Sequence, residues 1–156
     1  MRWLGPALAF LFLATPAHAQ LYTCLVVADP VPFGSVDPLD ATATDAVGNV
    51  RVSCTLIGII ALLVSYDISL TTGLSGDVNA RQMGAGADRL DYNLYRNAAR
   101  TQVWGDAGAG QGVSDGYLLG IGTVIRDYTV YGRVPAGQTG APPGVYLDTL
   151  TARVDY

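Results

Sequence analysis

Thirteen aspartates, two cysteines and one histidine are the residues of this 156-residue chain best equipped for chemistry. The aspartates could supply the carboxylate pair that glycoside hydrolysis uses. They are scattered, however, and often sit beside glycine, as in Gly76-Asp77, Gly105-Asp106 and Asp115-Gly116. Aspartate in that setting bonds its own backbone and tolerates tight turns, so turn chemistry is the stronger reading. His18 lies in a stretch read below as a removed signal. That leaves no histidine for a Ser-His-Asp or Cys-His arrangement. Lysine is absent, which excludes a P-loop, a Schiff base and a catalytic lysine. Residues 105–112, GDAGAGQG, space their glycines like a dinucleotide loop, but no βαβ pattern surrounds them. They lack the alternating ligands and distal Glu of a calcium loop. A solvated loop is the stronger reading, with a loose calcium site on Asp106 and Asp115 behind it. These residues make no catalytic set, no metal centre and no cofactor site, and a carboxylate glycosidase is the least favoured reading.

The cysteines, Cys24 and Cys54, read first as a disulfide in an exported chain. A zinc pair or a reactive thiol is the weaker reading, because two cysteines without histidine make a poor zinc set. Export is predicted from the first nineteen residues. Arg2 opens an apolar run from Leu4 to Ala14, and Ala17-His18-Ala19 has the small-x-small form of a signal-peptidase site. The run is too short for a membrane span. Removal of 1–19 leaves one domain, 20–156, with eight arginines against thirteen aspartates and a net charge of −5. That balance disfavours nucleic acid and anionic membrane surfaces.

The elements behind these residues are mostly strands. LYTCLVV (21–27), NVRVSCTL (49–56), LVSYDISL (63–70), RLDYNLY (89–95) and RDYTVYGRV (126–134) are rich in β-formers and largely alternate. Val50, Val52 and Cys54 share one face, as do Leu90, Tyr92 and Leu94. NLYRNAARTQVW (93–104) is read as strand then turn rather than helix. Residues 105–122, with seven glycines, are read as a long mobile loop with a short strand at 117–120. GVYLDTLTARVDY (144–156) is predicted as one long strand. Its apolar face carries Tyr146, Leu150, Ala152, Val154 and Tyr156, with Asp148 a misfit at the rim. Many short strands with Gly, Pro and Asp turns predict one antiparallel sandwich. LIGIIALLV (56–64) stands apart as nine apolar residues without a charge. It reads as buried strand, or as an exposed adhesive segment built on Ile57, Ile59, Ile60, Leu62 and Leu63.

Several blocks together resemble the spore coat protein U domain family, the pilin-like subunits of archaic chaperone–usher pili. They are TCLVVADPVPFGSVDPL (23–39), VRVSC (50–54), YDISLTTG (66–73), RQMGAGADRLDYNLYRNAARTQVWGD (81–106), YGRVPAGQ (131–138) and the closing stretch. The resemblance implies an all-β, immunoglobulin-like antiparallel sandwich that lacks its last strand. It also implies a disulfide between Cys24 and Cys54. A periplasmic chaperone would lend the missing strand, and another pilin-like subunit would replace it at an outer-membrane usher. Tyr146, Leu150, Val154 and Tyr156 would border the open groove, and the next strand after Tyr156 would come from another molecule. With Gln20 as the mature start, only four residues precede Cys24, too few to donate a strand. An acceptor at the tip or terminus of a surface fibre is therefore expected. The alternative is a stand-alone secreted coat protein or small surface adhesin using the apolar segment, in cell adhesion or biofilm.

Overall fold

The alternating residues 49–56 lie within the longest strand of the molecule. A computed structural model describes residues 21–57 and 62–156. Strand β1 is Tyr22–Asp29, β2 Thr44–Leu56, β3 Leu62–Leu70, β4 Gln82–Ala85, β5 Asp88–Asp91, β6 Asn93–Tyr95, β7 Val113–Leu119, β8 Thr123–Val134 and β9 Ala152–Asp155. One sheet runs β1-β2-β8-β6, a second β7-β3-β9, and β4-β5 forms a small hairpin. Every named pairing is antiparallel. Period-two alternation puts Val50, Val52 and Cys54 of β2 against Val64, Tyr66 and Ile68 of β3, and all six are buried. Arg51 and Ser53 point to the other face of β2, as the alternation predicts.

Cys24 and Cys54 are bonded, and they lie directly opposite each other in the β1–β2 register. Closing a loop with a sequence separation of 30 stabilises the fold by roughly 3–4 kcal/mol in the chain-entropy account. Trp104 is fully buried, and its indole Nε1 donates to the Ile68 carbonyl at 3.0 Å, so its one polar atom is satisfied.

Three segments depart from expectation. The segment 89–95 buries Leu90, Tyr92 and Leu94 as predicted, but the chain changes sheets at Tyr92. β5 belongs to the hairpin and β6 to the large sheet. Residues 105–122 are less loop than their glycines suggest. Asp106 caps a short 3-10 turn at Ala107–Ala109, and β7 then pairs with β3 from Ile68↔Val113 to Leu62↔Leu119. Glycine is tolerated there because Gly116 lies under the β3 backbone, where a Cβ would meet the Val64 carbonyl at 3.2 Å. The stretch 93–104 is strand then turn, as read from sequence. Asn97 Oδ1 accepts from the Thr101 and Gln102 amides, and Val103 bridges back to Tyr95.

The third departure is the closing stretch, which is not one long strand. Only Ala152–Asp155 forms a ladder, with a single bridge further back at Leu147↔Gly84. The predicted alternation nevertheless holds. Tyr146, Asp148, Leu150, Ala152 and Val154 are half-buried, and the residues between them are exposed. The ladder is interrupted because residues 71–81, between β3 and β4, leave the sheet edge to form the 3-10 turn Gly73–Ser75.

Candidate functional site

Burial falls along β1 in an informative way. Cys24, Val26 and Ala28 share its inward face. Cys24 is buried, Val26 half-buried and Ala28 exposed, although Ala28 lies opposite fully buried Val50. The sandwich is therefore open at the Asp29 end of β1. A groove of about 1060 Å³ lies there, between residues 28–38 on one side and 142–152 on the other. Its floor includes Val50, Leu70, Met83, Leu90, Tyr92 and Leu94.

Beyond β1 the first wall joins no strand ladder, and it turns at Gly34, where φ is 68°. Pro30 and Pro32 have no N–H to give a ladder. The wall is held by side chains instead, over two glycines of the β2–β8 pair. A Cβ on Gly48 would meet Val31 Cγ2 at 2.7 Å, and one on Gly132 would meet Val31 Cγ1 and Phe33 Cζ at 2.7 Å. Phe33 also stands edge-on to Tyr92, with ring centroids 5.9 Å apart.

The second wall is paired on one side only. Leu147 exchanges both backbone hydrogen bonds with Gly84, at 2.9 and 3.0 Å. The Thr151 carbonyl accepts from the Thr71 amide at 3.1 Å, and the Thr151 amide donates to Thr71 Oγ1 at 2.9 Å. The alternate residues Tyr146, Asp148 and Leu150 make no backbone hydrogen bond within the described residues. Their N–H and C=O groups form a free strand edge along the groove.

Asp148, expected as a rim misfit, pins this wall. Its carboxylate accepts from the Leu74 amide at 2.9 Å, the Thr149 amide at 2.7 Å and the Tyr92 hydroxyl at 2.6 Å. Gly73, at φ 70°, leaves the room: a Cβ there would fall 2.1 Å from Asp148 Oδ2. Burial first, then the hydrogen bond to Asp148, pushes the Tyr92 phenol far above its ordinary value of 10. Beneath Tyr92 lies Arg81, fully buried. It donates to the Thr71 carbonyl at 2.8 and 3.2 Å, the Trp104 carbonyl at 2.9 Å and Asn93 Oδ1 at 2.9 Å. Burial lowers its pKa.

A folded-state pKa above the unfolded value favours folding fully below pH 10, and the gain is lost as pH rises beyond it. Stability is therefore expected to fall above pH 10 by about 1.4 kcal/mol per pH unit for Tyr92. Tyr66, Tyr117 and Tyr128 are pushed up as well, so unfolding free energies measured from neutral to alkaline pH should fall at least that steeply, and Tyr92→Phe should reduce the slope by about 1.4 kcal/mol per pH unit. An unchanged slope in the variant would remove Tyr92 from this role.

At its far end the groove closes where Tyr22 and Tyr156 pack with ring centroids 5.4 Å apart. Thr23 Oγ1 and the Tyr156 hydroxyl lie 3.3 Å apart there. Of the four residues expected to border the groove, Tyr146 and Leu150 line it. Val154 lies opposite Ile68 within the β9 ladder, and Tyr156 belongs to the closed end. Sequence reading missed the first wall, although Pro30, Pro32 and Pro38 interrupt the strand pattern after β1. It also missed Arg81, which no pattern singled out.

Asp106 and Asp115 are not brought together. Asp106 caps its own turn, and Asp115 accepts from the Tyr128 hydroxyl at 2.5 Å. Among the described residues no three metal-ligating side chains gather, and no helix is long and apolar enough to cross a membrane.

The apolar run splits at its described ends. Leu56 and Val64 are buried and Leu62 is half-buried, whereas Ile57 and Leu63 are 66% and 74% exposed. Ile59 and Ile60 lie outside the described residues. Leu63 stands opposite Leu118, which is 69% exposed, and Ile121 in the following turn is 82% exposed. These residues cluster at the Tyr22 end of β1, the pole away from the groove's open end.

Fold and strand pairing define an immunoglobulin-like antiparallel sandwich of the pilin kind. The chain belongs to the Spore Coat Protein U domain family, whose model matches residues 8–153. The match begins within the stretch read as an export signal, outside the described residues. No curated protein matches the chain. Among solved structures it is similar to one described as the CsuC–CsuE chaperone–tip adhesion subunit pre-assembly complex from archaic chaperone–usher Csu pili of Acinetobacter baumannii. The identity is 23% and the TM-score 0.56, over 87% of this chain and 40% of that one. This chain thus spans about two fifths of the length of the chain it matches, and the likeness is one of fold.

Proposed function

We propose that the chain is an exported structural subunit of a bacterial surface fibre whose groove accepts a β-strand from a partner. The carrying observation is the free backbone edge at Tyr146, Asp148 and Leu150, facing an apolar groove about 1060 Å³ in volume. An extended segment laid along that edge would pair its backbone and bury alternate side chains, which is strand addition. A periplasmic chaperone would supply the strand in transit, and another subunit would replace it at an outer-membrane usher. The signal 1–19 would be removed on export. The solved relative's description as a chaperone–tip subunit complex supports this order of partners.

A place at the tip is favoured by the exposed apolar pole at Ile57, Leu63, Leu118 and Ile121. Contiguous apolar surface on a small domain marks an interaction site. The same pole supports the second reading, a stand-alone coat protein or adhesin.

Expression with and without a chaperone of the archaic pilus type separates these readings. A fibre subunit should be recovered in a one-to-one complex and be unstable alone. A chain that folds as a stable monomer and ignores the chaperone would overturn the subunit reading. If that monomer held to apolar surfaces and lost the hold on Ile57→Ser with Leu63→Ser, the adhesin reading would replace it.

A further inference from the structure

The groove that the proposed function assigns to a partner strand has a one-sided charge. Its lining includes three carboxylates, Asp29, Asp37 and Asp148, and no arginine. Asp148 is satisfied internally by two amides and the Tyr92 hydroxyl. Asp29 and Asp37 are exposed at opposite ends of the first wall. Neither joins an ion pair among the described residues. Asp37 Oδ1 accepts only the Leu39 amide, at 2.9 Å. Arg51 is the cation whose charge reaches Asp29, but its guanidinium is bonded to Asp127 at 2.8 Å.

The two carboxylates are eight residues apart on a segment that turns at Gly34, where φ is 68°, and bends at Ser35, so they stand closer together than the about 26 Å of a straight run. A strand of about eight residues is long enough to reach both. A strand lying in the groove would bury one face on the apolar floor and bring its ends beside these charges. Opposite charge at an exposed rim strengthens encounter and selects partners, and like charge repels.

We propose that the strand taken by this groove is flanked by cationic residues, lysine or arginine, at both ends of an alternating apolar core. Asp29 and Asp37 receive those cations. The inference rests on the strand-accepting reading above and adds the partner's chemistry. It also means that strands with acidic flanks are rejected.

The test refolds the full chain, released from its chaperone complex by denaturant, into labelled peptides of about nine residues. One peptide alternates Val and Ser with Lys at both ends, a second has Asp at both ends, and a third keeps the Lys ends but scrambles the alternation. At about 50 mM salt the Lys-flanked peptide should be captured roughly tenfold more tightly than the Asp-flanked one. That preference should collapse at about 500 mM salt and in Asp29→Asn with Asp37→Asn. Equal capture of the two alternating peptides, both above the scrambled one, would overturn the charge inference and leave strand acceptance standing. No preference for alternation over the scrambled order would overturn strand acceptance itself, and this inference with it.

Discussion

Arg81→Met is expected to destabilise the fold by about 3 kcal/mol or more. The guanidinium is fully buried and serves the Thr71 carbonyl, the Trp104 carbonyl and Asn93 Oδ1. Methionine replaces its volume but none of its donors, so the buried Trp104 carbonyl and the part-buried Thr71 carbonyl lose their partner, and Asn93 Oδ1 keeps only the Leu94 amide. The loss is structural as well as energetic. Thr71 follows β3, Asn93 opens β6 and Trp104 anchors the core, so one side chain ties three parts of the fold together. Arg81→Lys should fall between the two, because an ammonium cannot span the same acceptors with a planar fork. Urea midpoints of the three proteins, each measured in complex with the chaperone, check this order. A midpoint for Arg81→Met within error of the parent would show that water or neighbouring groups satisfy those acceptors.

The second large effect concerns partner capture. Leu150→Ser should weaken capture of a partner strand by roughly 10–100-fold, since it removes an apolar contact worth about 1.5–3 kcal/mol when fully buried. Leu150 is half-buried in the isolated chain, so its own fold depends on it only in part. Leu150→Pro asks a different question. The Leu150 N–H has no partner within the described residues. Proline therefore breaks no hydrogen bond inside the chain while removing a donor from the docking edge. Loss of peptide capture in both variants on refolding from denaturant, under conditions where the parent chain captures, supports strand addition. Capture that survives both would place the partner elsewhere.

The core was largely legible because alternation is a direct signal of a half-buried strand. Val50, Val52 and Cys54 follow it without exception, and so do the half-buried positions from Tyr146 to Val154. What alternation does not report is partnership. Leu90, Tyr92 and Leu94 keep one buried face while their backbones pass from a hairpin to a different sheet. The closing stretch has the period of a strand along its whole length but a ladder over only four residues. Glycine content misled in 105–122, because a strand crossing close to its neighbour can carry glycine without becoming loop. The first groove wall was hidden for the opposite reason. Val31 and Phe33 are placed by the missing side chains of Gly48 and Gly132, far away in sequence. Arg81 gave no signal at all, since a charged residue in a polar stretch is ordinarily solvated.

The Cys24–Cys54 bond has a consequence for a molecule built into a filament under tension. Tension that enters before Cys24 and leaves after Cys54 crosses by the disulfide and does not load the chain between them. The chain between the two cysteines, a sequence separation of 30, cannot pay out, which withholds about 100 Å of contour length. A stretched subunit would therefore lengthen in its later strands while the β1–β2 pair beside the docking groove stayed whole, ready to re-form the sandwich when the force fell.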